Sequence, residues 1–95
     1  MLKRIKTFKC KKTEILFAGQ DVPQWKHINK VARRKLEMLN VARELRHLSI
    51  PSRNRLEKLK GKRKGQWSIR INDQYRICFI WKNGYAYEVE IVDYH

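Results

Sequence analysis

The stretch that most constrains this chain is "QYRICFIWKNGYAYEVEIV", residues 74–92. Two runs rich in β-branched and aromatic residues flank Asn83-Gly84. Such residues favour a pleated, half-buried strand. Asn-Gly suits the two left-handed central positions of a type I′ turn, whose twist matches the strands on either side. A two-residue loop here makes an antiparallel hairpin and sets a register. Lys82 faces Tyr85, Ile80 faces Tyr87, Cys78 faces Val89 and Arg76 faces Ile91. Directly opposed residues share a face. Arg76 is therefore expected beside Asp93 and His95, just past Cys78, Ile80, Val89 and Ile91, which read as core. The assignment holds only for that loop length, because a one-residue slip exchanges the two faces.

The period of two begins earlier. In "QWSIRI", Trp67, Ile69 and Ile71 fall on one side and Ser68 and Arg70 on the other. Asn72 and Asp73 are turn formers, so the last third reads as a three-stranded meander. At the other end, "MLKRIKTFK" sets Leu2, Ile5 and Phe8 among lysines, as in a short strand with one wet side. "TEILFAG" suits a helical turn ending at Gly19. Asp21 is a fair N-cap for a stronger helix, with Gln24 three residues on and Pro23 in the first turn. Ile28, Val31, Ala32, Leu36 and Leu39 follow at helical spacing. Asn40 is a plausible break. "VARELRHL" then continues the pattern until Pro51 ends it, giving two antiparallel helices or one bent helix. Leu56 and Leu59 suit a short strand or turn in the basic connector before the meander. The expected fold is one α+β domain over residues 1–95: an N-terminal strand, two helices, then an antiparallel β-meander in one twisted sheet with the helices on one face.

Charge narrows the function. Lys and Arg number 23 against 9 Asp and Glu, a formal net charge of +14 and a pI near 10.3. Residues 65–95 hold three basic and four acidic side chains, so the whole surplus belongs to the first two thirds. Such a field attracts polyanions, nucleic acid foremost. Cys10 and Cys78 are far apart, with no CxxC pair, and read as free thiols of a reducing compartment. The three histidines have no zinc-ligand spacing to either cysteine. "MLKRIKTFK" lacks the apolar stretch of a signal peptide, and no window approaches the roughly 20 apolar residues of a membrane span. A cytoplasmic protein without membrane contact is expected.

The expected meeting of Arg76, Asp93 and His95, with Tyr94 between, has a chemistry. RNA carries its own nucleophile, the 2′-OH. Cleavage needs a base for that proton, an acid for the departing 5′-oxygen and a cation for the phosphate. His95 titrates near neutral pH, Arg76 can clamp phosphate, Tyr94 can donate or orient, and Asp93 can fix an imidazole. No metal is required.

"NRLEKLKGKRKGQWSIRINDQYRICF", followed by "NGYAYEVEIVDYH", resembles the HigB-type plasmid-maintenance killer toxins of the RelE superfamily. "IKTFKCKKTEILF" and "HINKVARRKLEMLN" are also similar to that group, so the likeness spans nearly the whole chain. The resemblance implies a ribosome-dependent mRNA endonuclease that inhibits translation, with no cofactor. It implies a HigA-like helix-turn-helix antitoxin as partner, the 70S ribosome and mRNA as targets, and operator DNA bound only through the antitoxin. The family's catalytic positions fall on Lys60, Arg76, Asp93, Tyr94 and His95. Some members place a second histidine where this chain has Glu57, so Glu57 or Lys60 is left as second proton-transfer group, or Glu57 only holds Lys60. Arg53, Arg55, Lys62, Arg63, Lys64 and Arg70 are the expected RNA-binding cations. The rival reading is a non-enzymatic basic RNA- or ribosome-binding module, which accounts for the charge but not for "DYH".

Overall fold

The computed structural model describes residues 3–94. Two α-helices, α1 (Lys11–Phe17) and α2 (Asn29–Val41), precede four strands: β1 (Glu57–Lys58), β2 (Trp67–Arg70), β3 (Tyr75–Lys82) and β4 (Tyr85–Asp93). The strands form one antiparallel sheet in sequence order. The chain before α1 runs along the open edge of β4, with parallel bridges Ile5–Ala86 and Phe8–Val89. The expected N-terminal strand is thus two bridges rather than a continuous ladder. Between them the N–H of Glu88 donates to the Thr7 hydroxyl at 2.8 Å instead of to backbone. The segment still covers an edge that would otherwise offer unpaired backbone groups.

The helices sit elsewhere than expected. Asp21 does not start one. α2 begins at Asn29, whose side chain accepts from the N–H of Val22 at 2.8 Å and donates to its carbonyl at 3.2 Å. That clip folds the 3-10 turn Pro23–Trp25 back over the helix and buries Val22, Trp25 and Ile28. Asp21 pairs with Arg33 instead, at 2.9 Å. α2 ends at Val41, one residue past Asn40, close to the expected break. Asn40 lies in the last turn and accepts from the N–H groups of Arg4 and Ile5 at 3.1 and 3.2 Å, tying the N-terminal segment to the helix. After Val41 the chain extends, and "VARELRHL" yields only the 3-10 turn Leu45–Ser49. Ala32, Leu36 and Leu39 of α2, with Leu16 of α1, pack on Ile69, Ile77, Phe79, Val89 and Ile91 of the sheet. The other face of the sheet is not covered by α-helix.

The hairpin forms as its sequence requires, with Asn83 at φ 52° and Gly84 at φ 82° and Lys82 opposite Tyr85. Ile80 opposes Tyr87, also as expected. The register then shifts by one residue, because Glu88 adopts a left-handed φ of 53° and it and Val89 together oppose Phe79. This is a β-bulge, two residues against one. Beyond it Cys78 pairs with Glu90, Ile77 with Ile91, Arg76 with Val92 and Tyr75 with Asp93. The expected register past Ile80 is therefore corrected. Arg76 shares its face with Val92, and Asp93 falls on the opposite one. Ile77, rather than Cys78, joins Ile91 in the helix-covered core.

Candidate active site

The face away from the helices carries Ser68 and Arg70 of β2, Arg76 and Cys78 of β3, and Glu90 and Val92 of β4, set side by side by the pairing. Glu57 of β1, opposite Ser68, completes the row.

Arg76 is 8% exposed and is gripped from three sides. Its Nε donates to Ser68 Oγ at 2.7 Å, and Nη2 donates to the Arg55 carbonyl at 2.5 Å. The Glu57 carboxylate stands 3.6 Å from Nη2. The Tyr94 ring, 40% exposed, lies with its centroid 5.8 Å from the guanidinium carbon, within cation–π range. Nη1 has no hydrogen-bond partner among the described residues. The guanidinium is thus immobilised through one edge while other N–H donors stay available. A fixed planar fork of this kind suits a phosphate or carboxylate.

The Arg55 carbonyl arrives by a local device. The 3-10 turn Ser52–Asn54 ends with Arg55 in the left-handed region, φ 45° and ψ 58°, which turns the backbone toward the sheet. Further along the face, Arg63 donates to Glu90 at 3.1 Å and to Gln66 at 3.2 Å. The bond to Glu90 raises the Arg63 pKa further. Lys9 comes within 3.8 Å of the same carboxylate. Cys78 is fully buried beside them, and that burial pushes its thiol pKa up. Arg70 is engaged with Asp73. By contrast Arg53, Arg55, Lys60, Lys62 and Lys64 are exposed and pair with no carboxylate among the described residues. Lys60 lies in the β1–β2 connection, lining a shallow depression with Lys58, Leu59, Gly61 and Lys64. No three His, Cys, Asp or Glu side chains among the described residues gather as a metal-ligating group, and no helix is long and apolar enough to cross a membrane.

The family described as "RelE-like toxin of type II toxin-antitoxin system HigB" matches residues 6–95. The chain belongs to this family. It is 35% identical over 96 residues to a Proteus vulgaris protein named Endoribonuclease HigB, covering 96% of this chain and 99% of that one. It is 51% identical over 53 residues to Toxin HigB-1 of Vibrio cholerae, a match spanning 56% of each chain. Among solved structures, two YoeB-YefM complexes from Staphylococcus aureus contain chains of similar fold, with TM-scores of 0.54 and 0.56 at 18% identity, covering 97% of this chain and 98% of those. Family membership makes this chain the toxin half of a toxin–antitoxin pair.

Within this HigB-like toxin, the expected site residues separate into groups. Arg76, Glu57 and Tyr94 come together. Glu57 approaches Arg76, and no contact joins it to Lys60 among the described residues. Asp93 faces the other side of the sheet, where its carboxylate accepts from Gln74 Nε2 at 3.1 Å. Gln74 also accepts the Tyr94 N–H through its carbonyl at 2.6 Å, so it holds the end of β4 from both sides. His95 lies outside the described residues. Arg63 and Arg70, expected as RNA-binding cations, are engaged with Glu90 and Asp73. Sequence reasoning missed Ser68, the Arg55 carbonyl and the Arg63–Glu90 pair. Ser68 was within reach: pairing "WSIR" against "YRIC" sets it one diagonal from Arg76.

Proposed function

We propose that this toxin is an endoribonuclease that cuts mRNA on the translating ribosome by attack of a 2′-OH on the adjacent phosphate. The observation that carries the reading is Arg76, a rigidly held, largely buried cation whose Nη1 has no hydrogen-bond partner among the described residues, on the face of the sheet away from the helices. Its setting is a chain similar over nearly its full length to a protein named as an endoribonuclease. In this reading the Arg76 guanidinium binds the scissile phosphate and steadies the charge that builds on its oxygens. Lys60 adds a second, mobile cation. His95 is the main proton-transfer group, and Glu57, beside Arg76, is the second. One takes the 2′ proton as the 2′-oxygen bonds to phosphorus. The other supplies a proton to the 5′-oxygen as its bond to phosphorus breaks, leaving a cyclic phosphate. Tyr94 orients the nucleotide over Arg76, and Asp93 fixes the strand end that carries Tyr94 and His95. RNA supplies the nucleophile, so the steps call for no metal or cofactor.

The exposed cations Arg53, Arg55, Lys62 and Lys64 suit ribosomal RNA phosphates. The antitoxin is a HigA-like helix-turn-helix protein, through which the pair reaches operator DNA. A cytoplasmic location follows from these targets. The test is cleavage of one mRNA, naked and loaded on ribosomes, by the purified toxin and by Arg76→Ala and His95→Ala. Wild type should cut the ribosome-loaded message, and each variant should be slower by about 100-fold or more. Equal cutting by all three, or none by wild type, overturns the reading.

A further inference from the structure

Lys35 lies on α2, in the helical layer, yet it is only 7% exposed. Its ammonium donates to Asn54 Oδ1. Burial, then Arg34, Arg70 and Arg53, push its pKa down. Burying an ammonium is costly, and an apolar side chain of similar volume would fill such a site more cheaply. Something other than packing has to account for a lysine there.

Asn54 supplies the connection. It is fully buried, accepts a hydrogen bond from Lys35 on Oδ1, and donates through Nδ2 to the Leu48 carbonyl at 3.1 Å. These two bonds fasten the turn Ser52–Asn54 to α2 and to the 3-10 turn Leu45–Ser49. The next residue is Arg55, strained at φ 45°, whose carbonyl accepts from Arg76 Nη2 at 2.5 Å. A left-handed non-glycine residue persists only where its surroundings over-determine it. We infer that Lys35 is a positioning residue for Arg76: through Asn54 it locks the turn that aims the Arg55 carbonyl at the guanidinium. The inference rests on the reading of Arg76 as the phosphate-binding group. It assigns Lys35 no contact with RNA.

The test has a spectroscopic and a kinetic arm. In wild type the Arg76 Nε–H should give a sharp, slowly exchanging ¹⁵N resonance. Lys35→Met should shift or broaden it while core amide protection stays in place. Single-turnover cleavage of ribosome-loaded mRNA should fall by about 10- to 100-fold with little change in KM, since a displacement near 1 Å at a reacting centre costs up to that much. Lys35→Arg, which keeps a donor, should recover most of the rate. In an Arg76→Ala background, Lys35→Met should add nothing. If Lys35→Met does not fold, Lys35→Met with Asn54→Leu removes both partners of that bond, at the cost of the bond from Asn54 to the Leu48 carbonyl, and the same readouts apply. An unchanged Arg76 resonance, or an equal rate loss with and without Arg76, overturns the inference. If Arg76→Ala itself cleaves normally, the reading of Arg76 has failed, while the resonance still decides whether Lys35 positions it.

Discussion

Glu57 holds its carboxylate 3.6 Å from Nη2 of Arg76, reaching it across β2. Ser68, on β2 between them, accepts a hydrogen bond from Arg76 Nε. The Glu57 side chain is about half exposed (52%), and ion pairs so open to water contribute only about 0–1 kcal/mol. Stability therefore does not account for its position. Glu57→Gln should leave the melting temperature almost unchanged and slow cleavage by roughly 100-fold, the usual range for a lost proton-transfer group. Thermal unfolding and single-turnover cleavage of the same preparation check this.

Arg76→Lys should be nearly as damaging as Arg76→Ala. An ammonium cannot reach Ser68 Oγ and the Arg55 carbonyl at once and still present a planar edge to phosphate. We expect losses of about 100- to 1,000-fold for both. Ser68→Ala, which frees one edge of the guanidinium, should cost less. Cleavage rates at saturating ribosome-bound substrate give the ranking.

The fold was legible wherever local chemistry decided it. Asn83-Gly84 specified its turn, and alternation in "QWSIRI" and "QYRICFIW" specified strands, but not which face of "QYRICFIW" turns inward: Ile77 and Phe79 do, where Cys78 and Ile80 were expected. What the sequence hid were contacts made at a distance. Nothing in "YEVEI" announces that Glu88 turns left-handed, because the bulge is shared with Thr7 at the other end of the chain. That one residue moved Arg76 from Ile91 to Val92 and separated it from Asp93. Asn29 likewise reads as an ordinary helical residue until Val22 is folded back onto it. In the candidate site, Arg76 and Tyr94 were visible through the family resemblance. Ser68 could have been found by pairing β2 against β3, but Asn54 could not, since a small polar residue in a turn signals nothing until its partners are known.

The Asn29 clip gives a control for stability without chemistry. Asn29→Ala removes both bonds to Val22 and leaves buried backbone groups unpaired. It should cost about 1–3 kcal/mol, with the rate per folded molecule unchanged. Urea unfolding alongside cleavage at low temperature separates the two.

The two thiols should differ sharply. Cys10 is partly exposed and Cys78 is buried, so a thiol reagent should label Cys10 in the native protein and Cys78 only on unfolding. The pKa of Cys78 is raised in the folded state above 9.0, chiefly by burial. Its contribution is fully present below that value and is lost as pH rises above it, because the unfolded chain ionises first. Cys78→Ala should therefore show a shallower fall in stability than wild type as pH rises through 9 and above. Urea midpoints across that range decide it.

The central claim, that Arg76 makes this toxin cut translated mRNA, is tested most directly by mapping new RNA 5′ ends after brief induction in cells. Wild type should produce cuts inside the coding regions of translated messages, and Arg76→Ala, expressed to the same level and folded, should not. Identical cut patterns from the two, or growth arrest by wild type with no new 5′ ends, would contradict it.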